Sequence, residues 1–422
     1  MRVFLLLTGV FCATMIAQEA DSDRLLAAAA HMKTDERIAA YQKLAASKPD
    51  DLHYQNLLAG AYIQKMRETT DFGYIERAEK LVAHTLTAEA ANYEALRLRS
   101  EIGLERHHFA EVAGFSREMI RIAPDDAWNW GTLGDALMEL GQYDDAADAY
   151  QKMMSLRPNQ SSYNRASYYR WVMGDAEGAI AIMRQAIEAG SPAPENTAWC
   201  LVDLGNLYFK TGRLEQAAGT FSEALRTFPG YHPAHAGLGR VQAAQGKLAE
   251  AIENFKRAQA VVPMPEYAAA LAELYERTGK KANARQQLEL LDVVDRVVKA
   301  NNEKTNRNLA LVYADQGRKL DRALELAQAE LDVRGDVYTY DALAWALFKN
   351  GRYAEAEQAA GKALRFGTPD PAFYFHAGMI ASALRKQQEA AKSLDRALAL
   401  NPHFDPRQAE IAETTLRTAR NP

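Results

Sequence analysis

The sequence predicts an all-α chain of stacked antiparallel helix pairs, and three regularities carry that prediction. Glycines recur at Gly141, Gly174, Gly212, Gly246, Gly279, Gly317 and Gly351, in steps of 33, 38, 34, 33, 38 and 34 residues. Alanines keep the same time at Ala146, Ala179, Ala217, Ala251, Ala284, Ala323, Ala356 and Ala390. Between these markers apolar residues fall three and four apart. Trp130, Leu133, Gly134 and Leu137 share one helical face, and beyond Gly141 a second face carries Ala146 and Tyr150. Such a period marks one supersecondary unit repeated along the chain. A lone hairpin of amphipathic helices exposes an apolar flank, so the units must stack into one continuous core.

The elements follow in chain order. Arg2 precedes the uncharged run VFLLLTGVFCATMIA from Val3 to Ala17, after which Gln18, Glu19, Asp21 and Asp23 turn the chain acidic. The run is shorter than the ~20 residues of a bilayer-spanning helix, so residues 1–20 read as a secretory signal peptide, cleaved after Ala17 or after Ala20. Phe11 argues against a lipid anchor at Cys12, which would need a small residue before it. Export predicts a periplasmic or extracellular protein. Residues 21–126 carry irregular units. Tyr41, Leu44 and Pro49 suit the second helix of a pair, Tyr54 to Ala90 a pair joined by a long turn within RETTDFGYIERAEKL, and Leu96 to Gly103 fill their slots loosely. Residues 127–404 form the regular array. Within it SPAPENTA after Gly190 and DVVDRVVKANNEKTN after Leu291 stretch the period, the second as an extended second helix. Residues 405–422 close the array, with a helix from Pro406 to Arg420 whose outer face holds Arg407, Glu410, Glu413 and Arg417.

Each marker has a physical cause. A glycine just past the first helix can take the left-handed conformation that ends it, and a proline after the second helix cannot continue one. Asp50, Asp125 and Asn159 follow such prolines and suit helix N-caps, where a side-chain oxygen meets free amide groups and the positive end of the dipole. The stretch WGTLGDALMELGQYDDAADAYQKMMSLRP, Trp130 to Pro158, has this layout. It returns in LVDLGNLYFKTGRLEQAAGTFSEALRTFP, where Leu201, Leu204, Gly205 and Tyr208 precede Gly212, and Ala217 and Phe221 follow it before Pro229. Both resemble the tetratricopeptide repeat, which implies an all-α solenoid, a right-handed superhelix of antiparallel helix pairs. The resemblance covers about Asp35 to Pro402, roughly ten units, and is strongest from Ala127 to Pro263 and from Tyr338 to Pro402.

Composition narrows the function. Lys+Arg 50 against Asp+Glu 55 gives a net charge of −5, with a pI near 6.1 and 48% hydrophobic residues. That leaves no basic footprint for nucleic acid and no polybasic tract for anionic lipid. Cys200 is the one cysteine beyond the signal segment, so no internal disulfide can form, and it reads as a small buried hydrophobe. His107 with His108, and His232 with His235, are the close histidine pairs, and neither meets a cysteine or clustered carboxylates. Gly237 to Gly239 has neither a preceding strand nor a following GK[ST], and no G-x-S-x-G is present. The sequence therefore predicts no catalytic residue, no metal and no cofactor.

The resemblance implies that the concave surface is lined by successive first helices and that peptides or partner proteins lie there. Counting along those helices gives Asp135, Tyr168, Asn206, Arg240, Glu273 and Trp345, and one turn below them Met138, Trp171, Phe209, Glu276 and Phe348. The candidate partner-binding set is Asp135, Met138, Tyr168, Trp171, Asn206, Phe209, Arg240, Trp345 and Phe348. Aromatic anchors beside a few polar groups are how binding hot spots are usually composed. The family's carboxylate-clamping repeats pair a lysine with asparagines. Val202 stands where that lysine would precede Asn206, so this activity is not expected. The expected protein is an exported, non-enzymatic scaffold that holds a protein or peptide segment in its groove during envelope assembly or secretion. The alternative is a structural subunit that self-associates or joins an envelope complex through its outer faces.

Overall fold

The computed structural model describes residues 22–29, 31–191, 193–300 and 305–420, so the expected signal segment and its cleavage sites lie outside the described residues. Helices and turns account for the described residues, with no strand among them. The chain divides into two compact units, one ending at Arg106 and one beginning at His107. That boundary falls one helix before the sequence's change of regularity at residue 127.

The first unit holds α1 (22–29), α2 (Thr34–Ser47), α3 (Leu52–Thr69), α4 (Gly73–Ala88) and α5 (Tyr93–Glu105). Ile63, Ile75 and Ala78 form the centre of its core. The long turn expected in RETTDFGYIERAEKL is mostly helix. α3 runs on to Thr69, whose hydroxyl donates to the Lys65 carbonyl, and only Thr70 to Phe72 separate α3 from α4.

The second unit begins with α6 (Phe109–Ile122) and continues as eight hairpins. The first helices are α7 (Ala127–Glu139), α9 (Gln160–Val172), α11 (Pro194–Lys210), α13 (His232–Ala244), α15 (Pro265–Arg277), α17 (Arg307–Gln316), α19 (Val337–Lys349) and α21 (Pro371–Ala383). Their partners are α8 (Tyr143–Leu156), α10 (Ala176–Ala189), α12 (Leu214–Thr227), α14 (Leu248–Val261), α16 (Lys281–Ala300), α18 (Leu320–Glu330), α20 (Tyr353–Ala363) and α22 (Gln387–Leu400), and α23 (Pro406–Arg420) ends the array. The seven turn glycines all have φ between 63° and 88°. The eight timekeeping alanines are all buried, and helices cross closely where Gly205 and Gly237 face the Phe221 ring. SPAPENTA lengthens α11, and the first part of the insertion after Leu291 extends α16 to Ala300, making it the longest of these helices at 20 residues. Capping is shifted by one residue from the expectation at two sites. Asp51 and Asp126, not Asp50 and Asp125, accept from helix N–H groups, while Asn159 forms a full capping box with Ser162.

The array of the second unit completes a superhelical turn and meets itself. The end of each early first helix docks against the chain leading into the first helix six hairpins later. Glu139 O accepts from the Gly335 N–H at 2.8 Å, Val172 O from the Thr368 hydroxyl at 2.6 Å, and Phe209 O from Asn401 Nδ2 at 2.7 Å. These carbonyls lie at helix C-termini, where intrahelical donors run out, so the next turn supplies what the helix cannot. Gly174 and Gly212 sit so close to the carbonyls of Phe366 and Leu400 that an added Cβ would come within 2.8 and 2.9 Å of them. Arg334 pairs with Glu139 at 3.0 Å and Lys210 with Asp370 at 2.7 Å along the same seam.

Candidate functional site

The inner surface has two parts, separated by how closely the superhelix closes. At the upper part the opposite walls touch. Trp171 Nε1 donates to the Tyr338 hydroxyl at 2.8 Å, Lys210 lies over the Tyr338 ring at 5.2 Å, and Arg307 holds Asp336 at 3.0 Å. The carboxylates of Asp336 and Glu139 outweigh the desolvation of Arg307 and raise its pKa. Asp370 does the same for Lys210. Burial raises Glu139, an effect that Asp336 reinforces and the two arginines oppose.

Below this closure a chamber of about 460 Å³ opens between α11, α13, α14, α15, α17, α19, α21 and α23. Phe209, Tyr267, Phe348 and Phe375 give it apolar walls, and Arg240, Glu266, Glu273, Asp315, Lys349, Asp405 and Arg407 place charge around them. Most of these charges are desolvated by the surrounding protein. Burial lowers Lys349 and raises Glu266, Asp405, Asp315 (to about 6) and Glu273 (to about 7), whereas Arg240 and Arg407 are exposed to solvent. Arg240 donates to Asn206 Oδ1 at 2.6 Å, lies over the Phe209 ring at 5.5 Å and meets no carboxylate at ion-pair distance among the described residues. Glu266 accepts from Asn308 through one oxygen, and its other oxygen is buried without a hydrogen-bond partner among the described residues. Such a set can bind: apolar walls exclude water while a few donors and acceptors orient the guest.

The nine candidate residues divide between these parts. Asn206, Phe209, Arg240, Trp345 and Phe348 line the chamber. Trp345 does so at one edge only, because Phe348 stacks on it at 4.9 Å, His376 at 4.2 Å, and its Nε1 donates to Asp315. The other four do not line it. Met138 and Trp171 are each 2% exposed, so they belong to the packed interior and offer no ligand surface. Asp135 is held by Arg165 at 2.6 Å and by the Tyr150 hydroxyl, and Tyr168 is half-buried against the upper closure. The inner face of α9 at Trp171 is thus occupied by the returning turn.

Glu266, Tyr267, Asp315, Lys349 and the Phe404 to Gln408 segment line the chamber without having been singled out from sequence. Tyr267 and Glu266 lie two turns before Glu273 on the same helix, so counting further along α15 would have found them. The closing segment gave no such signal. Among the described residues no group of three metal-ligating side chains occurs, and no helix is long and apolar enough to cross a membrane. His232 and His235 bond separately, to the Tyr267 hydroxyl and to Asn254. Cys200 is fully buried, which pushes its thiol up to about 12.

Stacked hairpins with glycine turns and alanine contacts define a helical repeat scaffold. More narrowly, the chain belongs to the tetratricopeptide repeat family: profiles described as tetratricopeptide repeat match residues 127–160, 159–229, 202–263, 237–293 and 342–403. The TPR repeat-containing protein YpiA of Bacillus subtilis (strain 168) is 22% identical over 273 residues, which cover 63% of this chain and 62% of that protein. The match thus spans about three fifths of that relative's length. Among solved structures, PilW, a widely conserved type IV pilus biogenesis factor, is 14% identical with a TM-score of 0.43, covering 48% of this chain and 93% of that one. Yeast Tom70 is 12% identical with a TM-score of 0.39, covering 97% and 96%. Neither likeness is close enough to transfer a role. Proteins of this family are in general non-enzymatic scaffolds for protein interaction.

Proposed function

We propose that this protein is an exported, non-enzymatic scaffold that binds a polypeptide segment in its inner chamber during envelope assembly or secretion. The observation that carries the binding site is the chamber itself. Eight helices bring aromatic walls together with Arg240 and with Glu266, one oxygen of which has no hydrogen-bond partner among the described residues. Export rests on the uncharged run from Val3 to Ala17 and the acidic stretch after it. Self-association through an outer face is the second reading, favoured by Val293 and Val297, which are 41% and 52% exposed four residues apart on α16.

The test uses protein beginning at Asp21, beside an Ala270→Trp variant that fills the chamber from α15. Both are first shown to fold by circular dichroism and then used to capture partners from an envelope extract. A partner retained by the wild type and lost by the variant supports the chamber. Identical partners for both, or only other copies of the chain, would replace it with the outer-face reading. Mass spectrometry of the protein from its producing cells tests export, which requires a chain starting at Gln18 or Asp21.

A further inference from the structure

We propose that α16 is a dimerisation helix, which packs antiparallel against α16 of a second copy of this chain with Val293 at the two-fold axis. The proposal rests on the second reading above, that an outer face binds another copy, and it leaves the chamber free, since no residue of α16 lines it. The helix runs for 20 residues where most second helices have 14. Its last turns are held from within: Leu291 and Val298 belong to the core, and Asp295 meets Arg322 at 3.2 Å and Lys319 at 3.3 Å. The opposite face is apolar and open. Val293 and Val297 are exposed, and Leu290 lies half-buried one turn before Val293. Among the described residues no other helix leaves two large apolar side chains exposed.

A second copy fits this face because the face is complementary to itself. At 3.6 residues per turn, Glu289, Leu290, Val293, Arg296 and Val297 share one side of the helix. Glu289 and Arg296 lie on one flank of Val293, and Leu290 and Val297 on the other. An antiparallel pairing about Val293 keeps each flank against its own copy and sets the level of Glu289 and Leu290 opposite that of Arg296 and Val297. Charge then meets opposite charge along one flank, and apolar meets apolar along the other. Neither Glu289 nor Arg296 forms an ion pair among the described residues, so both are available to the second copy. One helix against its copy covers less than the ~1,600 Å² of a standard interface, so the dimer is weak and reversible. The ion pairs lie at its rim and fix register more than affinity.

Sedimentation velocity of the chain from Asp21, across the micromolar range, tests this. The expected result is a monomer–dimer equilibrium that Val293→Asp or Val297→Asp abolishes, both at exposed positions and both shown to fold by circular dichroism. Glu289→Arg and Arg296→Glu each set like charges together at two symmetry-related places and should weaken the dimer by about two- to tenfold, and the double variant should restore it. Val293→Cys locates the axis. The other cysteine of this chain, Cys200, is buried, so mild oxidation should join two copies through residue 293 and act more slowly on Val297→Cys, which faces Leu290 of the copy. A monomer at every concentration would overturn both the pairing and the outer-face reading beneath it. A dimer that survives both aspartates, or single reversals that the double variant does not rescue, would overturn α16 as the interface and leave self-association standing. Equal oxidation of the two cysteine variants would overturn the axis at Val293.

Discussion

Gly141 and Gly351 occupy equivalent turns with φ of 73° and 75°, yet their surroundings differ in a way that isolates the seam. An alanine at either position pays the left-handed penalty of about 1–2 kcal/mol. At Gly351 nothing lies within 4 Å of the added methyl group. At Gly141 that group would fall under 3.0 Å from the Gly335 carbonyl oxygen, a backbone atom that cannot swing aside. The two turns must then part, which removes the hydrogen bond from Gly335 to Glu139 (about 1 kcal/mol) and weakens the ion pair of Glu139 with Arg334, itself 7% exposed. Breaking a buried pair outright costs about 3–5 kcal/mol, so a partial loss makes Gly141→Ala worse than Gly351→Ala by about 2–4 kcal/mol. Urea unfolding gives the difference, and hydrogen exchange at the Gly335 and Val337 amides locates it, since the latter donates to the Tyr143 hydroxyl across the same seam. Equal destabilisation of the two variants, with unchanged exchange at Gly335, would refute the closed superhelix.

Three other predictions follow from the packing and the buried charges. Asn401→Ala removes the side-chain donor to the Phe209 carbonyl, which keeps the Gly212 N–H, and should lower stability by about 0.5–1.5 kcal/mol in urea unfolding. Because burial lifts Asp315 to about 6 and Glu273 to about 7, the folded chamber keeps protons that the unfolded chain has released, and this contribution to stability falls as pH rises from about 4 to about 7. Asp315→Asn keeps an acceptor for Trp345 and Gln408 and should shrink the difference between unfolding midpoints at about pH 5 and about pH 8; an unchanged difference would count against the assignment. Cys200 should stay unreactive toward a thiol reagent in the folded chain and react once urea unfolds it, whereas rapid labelling without denaturant would contradict its burial.

What the sequence disclosed was local. A glycine that ends a helix and an alanine that admits its neighbour act within one hairpin, so their spacing carries the helix pairs and even the extended α16. The seam joins residues about 195 positions apart, such as Val172 with Thr368, and a one-dimensional period has no term for that distance. Gly141 and Gly351 look alike in sequence although only the first is pressed against another turn. A faint signal was present in the irregular RGD and FGTPD connections after α18 and α20, which are 11 residues long where most partner helices have 14. The same blind spot brought Trp171 into the candidate set. Trp171 sits at a groove-facing position by helical count, and the returning Tyr338 turns that position into core. Trp171→Ala would therefore cost about 3–5 kcal/mol as a core deletion and is unsuitable as a test of binding.

The central claim is that the chamber, and no outer face, meets the partner. The most direct measurement places a photo-crosslinking phenylalanine derivative at Met379, which lines the chamber, and separately at Tyr353, which is 39% exposed on α20. After irradiation in the producing cells, mass spectrometry identifies the joined residues. Met379 is expected to yield a discrete adduct to a polypeptide segment, absent from Tyr353. Adducts shared by both positions, or found at Tyr353 alone, would contradict it.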